Sequence, residues 1–170
     1  MTETVFTAAS QGIFSGAGLS VRCAIGKGGM IDAADKSEGD GASPLGTWPM
    51  RRIFYRADRL DRPQSGLPCI ALRPHDGWCD APHHRLYNRP ISLPFSASHE
   101  SLWRDDHVYD VIVEIGHNDA PVIAGLGSAI FLHLARPDYV PTEGCIALAL
   151  GDMLTVLKAS GPGTSLQITL

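Results

Sequence analysis

Long apolar runs are missing from this sequence: none approaches the roughly 18 residues that a membrane-crossing helix requires, which excludes a helical membrane span. The opening MTETVFTAAS has no basic segment ahead of an apolar stretch, so an export signal is not expected there. Positive charge is also scarce, with a formal net charge of -4. The nearest thing to a basic patch, RRIFYRADRLDR at residues 51–62, carries interleaved aspartates and reads as a mixed surface strand and loop. A nucleic-acid partner is therefore not expected, because such proteins cluster Lys and Arg to neutralise phosphates. Cysteine is sparse: Cys23, Cys69, Cys79 and Cys145 are irregularly spaced, unlike the disulfide framework of a small secreted domain, and they leave the compartment open.

Helical periodicity is nearly absent as well. What remains is a 170-residue chain, 44% hydrophobic and 19% charged, with the composition of a globular protein and the length of a single domain spanning 1–170. Its apolar segments are short and bounded by turn residues. LSVRCAIG (19–26), TWPMRRIFYR (47–56), PCIALR (68–73), YDVIVEIG (109–116) and SAIFLHLA (128–135) show β-branched and aromatic residues with partial alternation and are predicted strands. In YDVIVEIG, Val111, Val113 and Ile115 face one way and Asp110, Ile112 and Glu114 the other. SLQITL places Leu166, Ile168 and Leu170 on one face. The one helical candidate is GDMLTVLKAS (151–160), with Met153, Leu154 and Leu157 sharing a face and Gly161-Pro162-Gly163 ending it. The fold expected is mainly β with one or two short helices. Residues 74–106 have weak periodicity and are expected to form loops with a little helix, and a loop region of that length usually carries function.

The stretch HLARPDYVPTEGC runs from His133, at the end of a predicted strand, to Cys145, at the start of the apolar run CIALAL. If the two runs are neighbouring strands, the loop between them closes imidazole onto thiol. A thiol of ordinary pKa is mostly protonated at neutral pH and needs such a base to act as a nucleophile. Gly144 permits close approach of a substrate and unusual backbone angles, and N–H groups around Gly144 and Cys145 are candidates for an oxyanion hole. The plainer alternative is a small buried cysteine and a structural histidine; an activated thiol would alkylate readily near neutral pH and a buried structural one would not. A zinc site from Cys79, His83 and His84 matches no strong ligand spacing, and neither metal nor cofactor is expected.

IFLHLARPDYVPTEGCIAL resembles the active-site motif of the L,D-transpeptidase catalytic domain (YkuD-like) family: a histidine, a loop, then Ser/Thr-x-Gly-Cys, filled here by His133 and by Thr142, Glu143, Gly144 and Cys145. GASPLGTWPM (41–50) resembles the family's Thr/Ser-Pro-x-Gly-Thr-aromatic segment. WCDAP, YNRPI and GHNDAP are similar to segments of a branch of short bacterial proteins in this family. The resemblance implies a β-sandwich-like domain and acyl transfer on peptidoglycan, with donor and acceptor peptide stems as the partners. Cys145 would form a thioester with a donor stem, His133 would move the protons with a backbone carbonyl orienting its ring, and an acceptor amine would complete the cross-link. Asp138 and Asp119 are fallback partners for the histidine. The family's Cys-Ile-Arg is Cys-Ile-Ala here, so Arg136 is expected to take over the hold on a substrate carboxylate. Thr142, His117, Asn118, Trp78 and Tyr87 are expected to bind substrate, with Asp80 and Asn88 beside them in the cleft wall, although Asn-Asp-Ala-Pro is also ordinary turn chemistry. Glu143 reads as a site acid or as a solvated loop carboxylate. The resemblance further implies the bacterial periplasm or cell envelope, a monomer, and acylation by carbapenems. An L,D-carboxypeptidase or endopeptidase on the same scaffold and a non-catalytic peptidoglycan-binding module are the alternatives.

Overall fold

The computed structural model describes residues 3–170. Its strands in chain order are β1 (Val5–Ala9), β2 (Ile13–Gly16), β3 (Leu19–Arg22), β4 (Met30–Asp32), β5 (Ser43–Tyr55), β6 (Cys69–Ala71), β7 (Asp76–Cys79), β8 (Pro90–Ser92), β9 (His99–Ser101), β10 (Val111–Ile115), β11 (Phe131–Leu134), β12 (Ile146–Leu148) and β13 (Ser165–Thr169). A single α-helix, α1 (Leu150–Lys158), separates β12 from β13. The mainly β expectation holds.

One sheet runs β12-β11-β10-β5-β13-β1-β2-β3, with β4 and β6 pairing opposite ends of the long β5. Past β3 the chain returns to the other edge, where Ala24 and Ala147 exchange backbone hydrogen bonds of 2.9 and 3.1 Å and Gly26 bridges Thr142. The ends of the sheet thus meet, and a nearly closed, barrel-like sheet encloses the main core.

Strand alternation divides the apolar residues between two clusters. Val111, Val113 and Ile115 on β10 enter the main core with Phe6, Ile53 and Leu166, as their period-two spacing requires. Ile112, on the opposite face, joins Phe131, Tyr109 and Trp78 in a second cluster. The same rule operates on β11, where Leu132 and Leu134 fill the main core and Phe131 and His133 project to the other side. Cys145 belongs to that second cluster.

Three expectations are corrected. Residues 74–106 form no helix; they hold a small antiparallel sheet in the order β8-β7-β9. Helix α1 buries Met153, Val156 and Leu157, whereas Leu154 is 37% exposed. At 100° per residue, positions 153, 156 and 157 cluster on one side and 154 is rotated away. Leu166 and Ile168 are buried, but Leu170 lies beyond the end of β13 and is 76% exposed.

Candidate active site

β11 and β12 are parallel neighbours with Leu132 opposite Ile146 and His133 opposite Ala147. Extending that register by one residue sets Cys145 beside Phe131, and the Phe131 N–H donates to Cys145 Sγ at 3.3 Å. Phe131 and His133 are two apart on one strand, so Cys145 and His133 share a face. A diagonal of that kind spans roughly 8 Å between Cα atoms, within reach of an imidazole and a thiol. Both line one cavity of about 320 Å³. The His133 Nδ1–H donates to the Leu134 carbonyl at 2.9 Å. A carbonyl can only accept, so this bond leaves the lone pair on Nε2.

The turn that presents Cys145 is built by its own sequence. Thr142 Oγ1 accepts from the Gly144 N–H at 3.1 Å and donates to the Cys145 carbonyl at 2.6 Å. Gly144 has φ +130, and its carbonyl accepts from the Ser43 hydroxyl at 2.8 Å. A Cβ at Gly144 would stand 2.8 Å from the Ala42 carbonyl oxygen. Gly144→Ala is therefore expected to destabilise the fold by about 1–3 kcal/mol and to displace the thiol; urea unfolding of the variant checks this, and an unchanged midpoint would contradict it. On the other side of the thiol, Cys145 Sγ–H donates to the Ala129 carbonyl at 3.2 Å.

The profile of the YkuD family, the L,D-transpeptidase catalytic domain, matches residues 9–168. The chain belongs to this family. Members of the family act on peptidoglycan. No curated protein and no solved structure matches the chain. Among the described residues, no helix is long and apolar enough to cross a membrane, and no group of three or more His, Cys, Asp or Glu side chains is placed to hold a metal ion.

Within this L,D-transpeptidase-family fold, Arg136, Thr142 and Glu143 reach the cavity, and so does Asp80. The hydroxyl of Thr142 is already committed to the turn. Glu143 is paired with Lys27 at 2.8 Å, both side chains largely exposed. His117, Asn118, Trp78 and Tyr87 are not in the cavity wall; they stand behind it. The Trp78 ring meets Phe131 edge-on and its Nε1–H donates to Asn88 Oδ1. Tyr87 Oη donates to Glu38 and accepts from the Gly127 N–H. Asn118 binds the carbonyls of Ile123 and Gly127 and so cinches the loop between them. His117 is buried edge-on against Trp48, and its Nδ1 has no partner. Asp119 pairs with Arg51, and Asp138 lies in the 3-10 turn Pro137–Tyr139; the His133 ring is held by the Leu134 carbonyl instead.

The cavity also contains groups that local sequence reasoning missed. Tyr109 packs its ring edge-on against His133 at 5.4 Å and donates its hydroxyl to Glu100 at 2.9 Å. Glu38, Lys36 and Arg104 complete the charged lining. These residues come from separate segments, and only the tertiary fold brings them together.

Burial dominates the electrostatics. It pushes the Cys145 thiol up to about 12, against a smaller opposing pull from the Phe131 N–H. It draws His133 down to about 4, opposed by the Leu134 carbonyl and reinforced by Arg136 and Arg104. The resting pair is thus a neutral thiol and a neutral imidazole, and ready alkylation at neutral pH is not a property of this ground state. His117 is likewise drawn down to about 4, by burial first and then by Lys36. An unfolded histidine titrates near 6.5, so below that pH the unfolded chain binds more protons than the folded one. The stabilisation is present above pH ~6.5 and is lost as pH falls towards 4, on the order of 3 kcal/mol for each histidine at the limit. Urea midpoints at pH 7.5, 5.5 and 4.5 should fall in that order; a flat series would contradict the burial of the two rings.

Proposed function

We propose that the protein is a peptidoglycan L,D-transpeptidase in which Cys145 forms a thioester with a donor peptide stem and an acceptor amine resolves it. The observation that carries this reading is that one thiol and one imidazole lie on the same face of adjacent parallel strands and line the same cavity, in a domain of this family.

The chemistry follows from the resting bonds. The thiol Sγ–H donates to the Ala129 carbonyl, so reaction begins with rotation of the Sγ–H towards Nε2 of His133. As Sγ attacks the stem carbonyl, Nε2 takes the proton and the carbonyl π electrons move to oxygen. The N–H of Gly144 is engaged by Thr142, so in this reading the oxyanion donor is the Cys145 N–H. Collapse expels the leaving amine, which takes the proton from His133, and leaves the thioester. The acceptor amine then attacks the thioester carbonyl and gives its proton to His133; collapse breaks the C–S bond, the departing sulfur takes that proton back from His133, and the cross-linked product leaves the neutral thiol behind. Arg136, half-exposed in the cavity lining and 3.8 Å from Asp106, is the residue proposed to meet a substrate carboxylate, exchanging that ion pair for it. Such a reaction belongs in the bacterial cell envelope, and the same thioester chemistry makes Cys145 the site of carbapenem acylation.

Incubation with purified disaccharide-peptide stems and analysis of the products tests the reading. A dimer with loss of a stem residue is expected, and its fragmentation identifies the joined positions. Shortened monomers alone would make the protein a hydrolase on the same scaffold, and unchanged stems would leave a binding module.

A further inference from the structure

We propose Asn88 as a positioning residue for the Cys145 nucleophile, an inference that rests on the acyl-transfer reading above. Asn88 is 5% exposed and stands behind the cavity rather than in its wall. Its Oδ1 accepts from Trp78 Nε1–H at 2.9 Å and from the Ala129 N–H at 3.0 Å. Its Nδ2 donates to the carbonyls of His117 at 3.2 Å and Asn118 at 2.8 Å. Two acceptor and two donor positions are the whole capacity of a carboxamide, and all are used.

The Ala129 bond is what connects this hub to the thiol. Ala129 has φ +52, a conformation disfavoured for any residue with a Cβ, so it needs external restraint. Asn88 supplies that restraint at the N–H. The carbonyl of the same residue accepts the Cys145 thiol proton, and two residues on, the Phe131 N–H donates to the same sulfur. A continuous path of hydrogen bonds therefore runs from Trp78 through Asn88 and Ala129 to Cys145. Asn88 is itself at φ +54, where asparagine is better tolerated than most residues. Removing its amide frees the segment that fixes the sulfur relative to His133, and catalysis is sensitive to misplacement of about 1 Å.

Asn88→Gly suits this backbone and deletes the amide. On disaccharide-peptide stems its kcat is expected to fall by about tenfold or more, with KM within about threefold of wild type. Iodoacetamide labelling at pH 8, followed by peptide mass mapping, reads the thiol without reference to any substrate. Loss of the Ala129 acceptor should raise the Cys145 rate by about threefold or more and leave Cys23, buried in the main core, unchanged. Asn88→Asp keeps an acceptor for the Ala129 N–H and should retain kcat within about threefold of wild type even if it melts earlier. It carries the test alone should Asn88→Gly not fold. An unchanged kcat and labelling rate in Asn88→Gly, a parallel rise at Cys145 and Cys23, or a folded Asn88→Asp with kcat reduced as far as about tenfold would overturn the assignment. Should wild type leave the stems untouched, the acyl-transfer reading fails, and labelling of Asn88→Gly still decides whether Asn88 sets the thiol.

Discussion

Cys145→Ala is expected to lower the turnover of peptide stems by about four to six orders of magnitude. Covalent transfer needs an atom that can hold the acyl group between leaving amine and incoming amine, and the other side-chain nucleophiles of the cavity are committed elsewhere. The Thr142 hydroxyl donates to the Cys145 carbonyl and the Ser128 hydroxyl to Glu38. Tyr109 donates to Glu100, and burial pushes its phenol further up, away from a nucleophilic phenolate. Steady-state assay of stem consumption reads the loss. The variant removes one sulfur from the second core cluster, so its circular dichroism should remain native. Residual turnover within about tenfold of wild type would mean that the thiol is not the acyl carrier.

His133→Gln is expected to cost about two to four orders of magnitude in kcat/KM. With its thiol pushed up to about 12, Cys145 is essentially never ionised on its own at neutral pH, so attack depends on a base that removes the proton during the step. Glutamine fills similar space but cannot accept and release that proton. The buried ring titrates near 4 rather than near 6.5, and the base form therefore persists well into the acid range. Wild-type kcat/KM per folded molecule should hold through pH 6 and decline only as pH approaches 4, when His133 becomes protonated. A decline centred near 6.5 would show that the catalytic base is a solvated histidine and not this one.

The strands that build the site were legible because each carries a clean physical signal. In VIVEI the face of Val111, Val113 and Ile115 is wholly apolar and enters the main core, while the opposite face gives Ile112 to the second cluster and Glu114 to an ion pair with Arg52. The pairing of His133 with Cys145 was readable as two apolar runs joined by a loop, and parallel pairing of β11 with β12 realises it. The small sheet was not legible. Its strands DGWC, PIS and HES are only three or four residues long and include Gly and Pro, too short for alternation to accumulate. Which polar residues face the cavity was not legible for a related reason. Trp78, Tyr87 and Asn118 are polar or aromatic residues in loop-like sequence, a pattern shared by ligand walls and by the buried hydrogen-bonded braces that support them. Only the positions of their partners separate the two. Conversely, Glu38, Glu100 and Tyr109 carry no local motif, and their convergence on the cavity depends on contacts far apart in sequence.

The most direct test of a thioester on Cys145 is intact mass of the protein quenched in acid during turnover of disaccharide-peptide stems, followed by proteolytic mapping of the adduct. The account predicts a mass increase equal to the donor stem less its leaving group, confined to the peptide containing Cys145, absent from Cys145→Ala and accumulating when the acceptor amine is withheld. Stems consumed at the wild-type rate with no adduct on Cys145, or with the adduct on another residue, would contradict it.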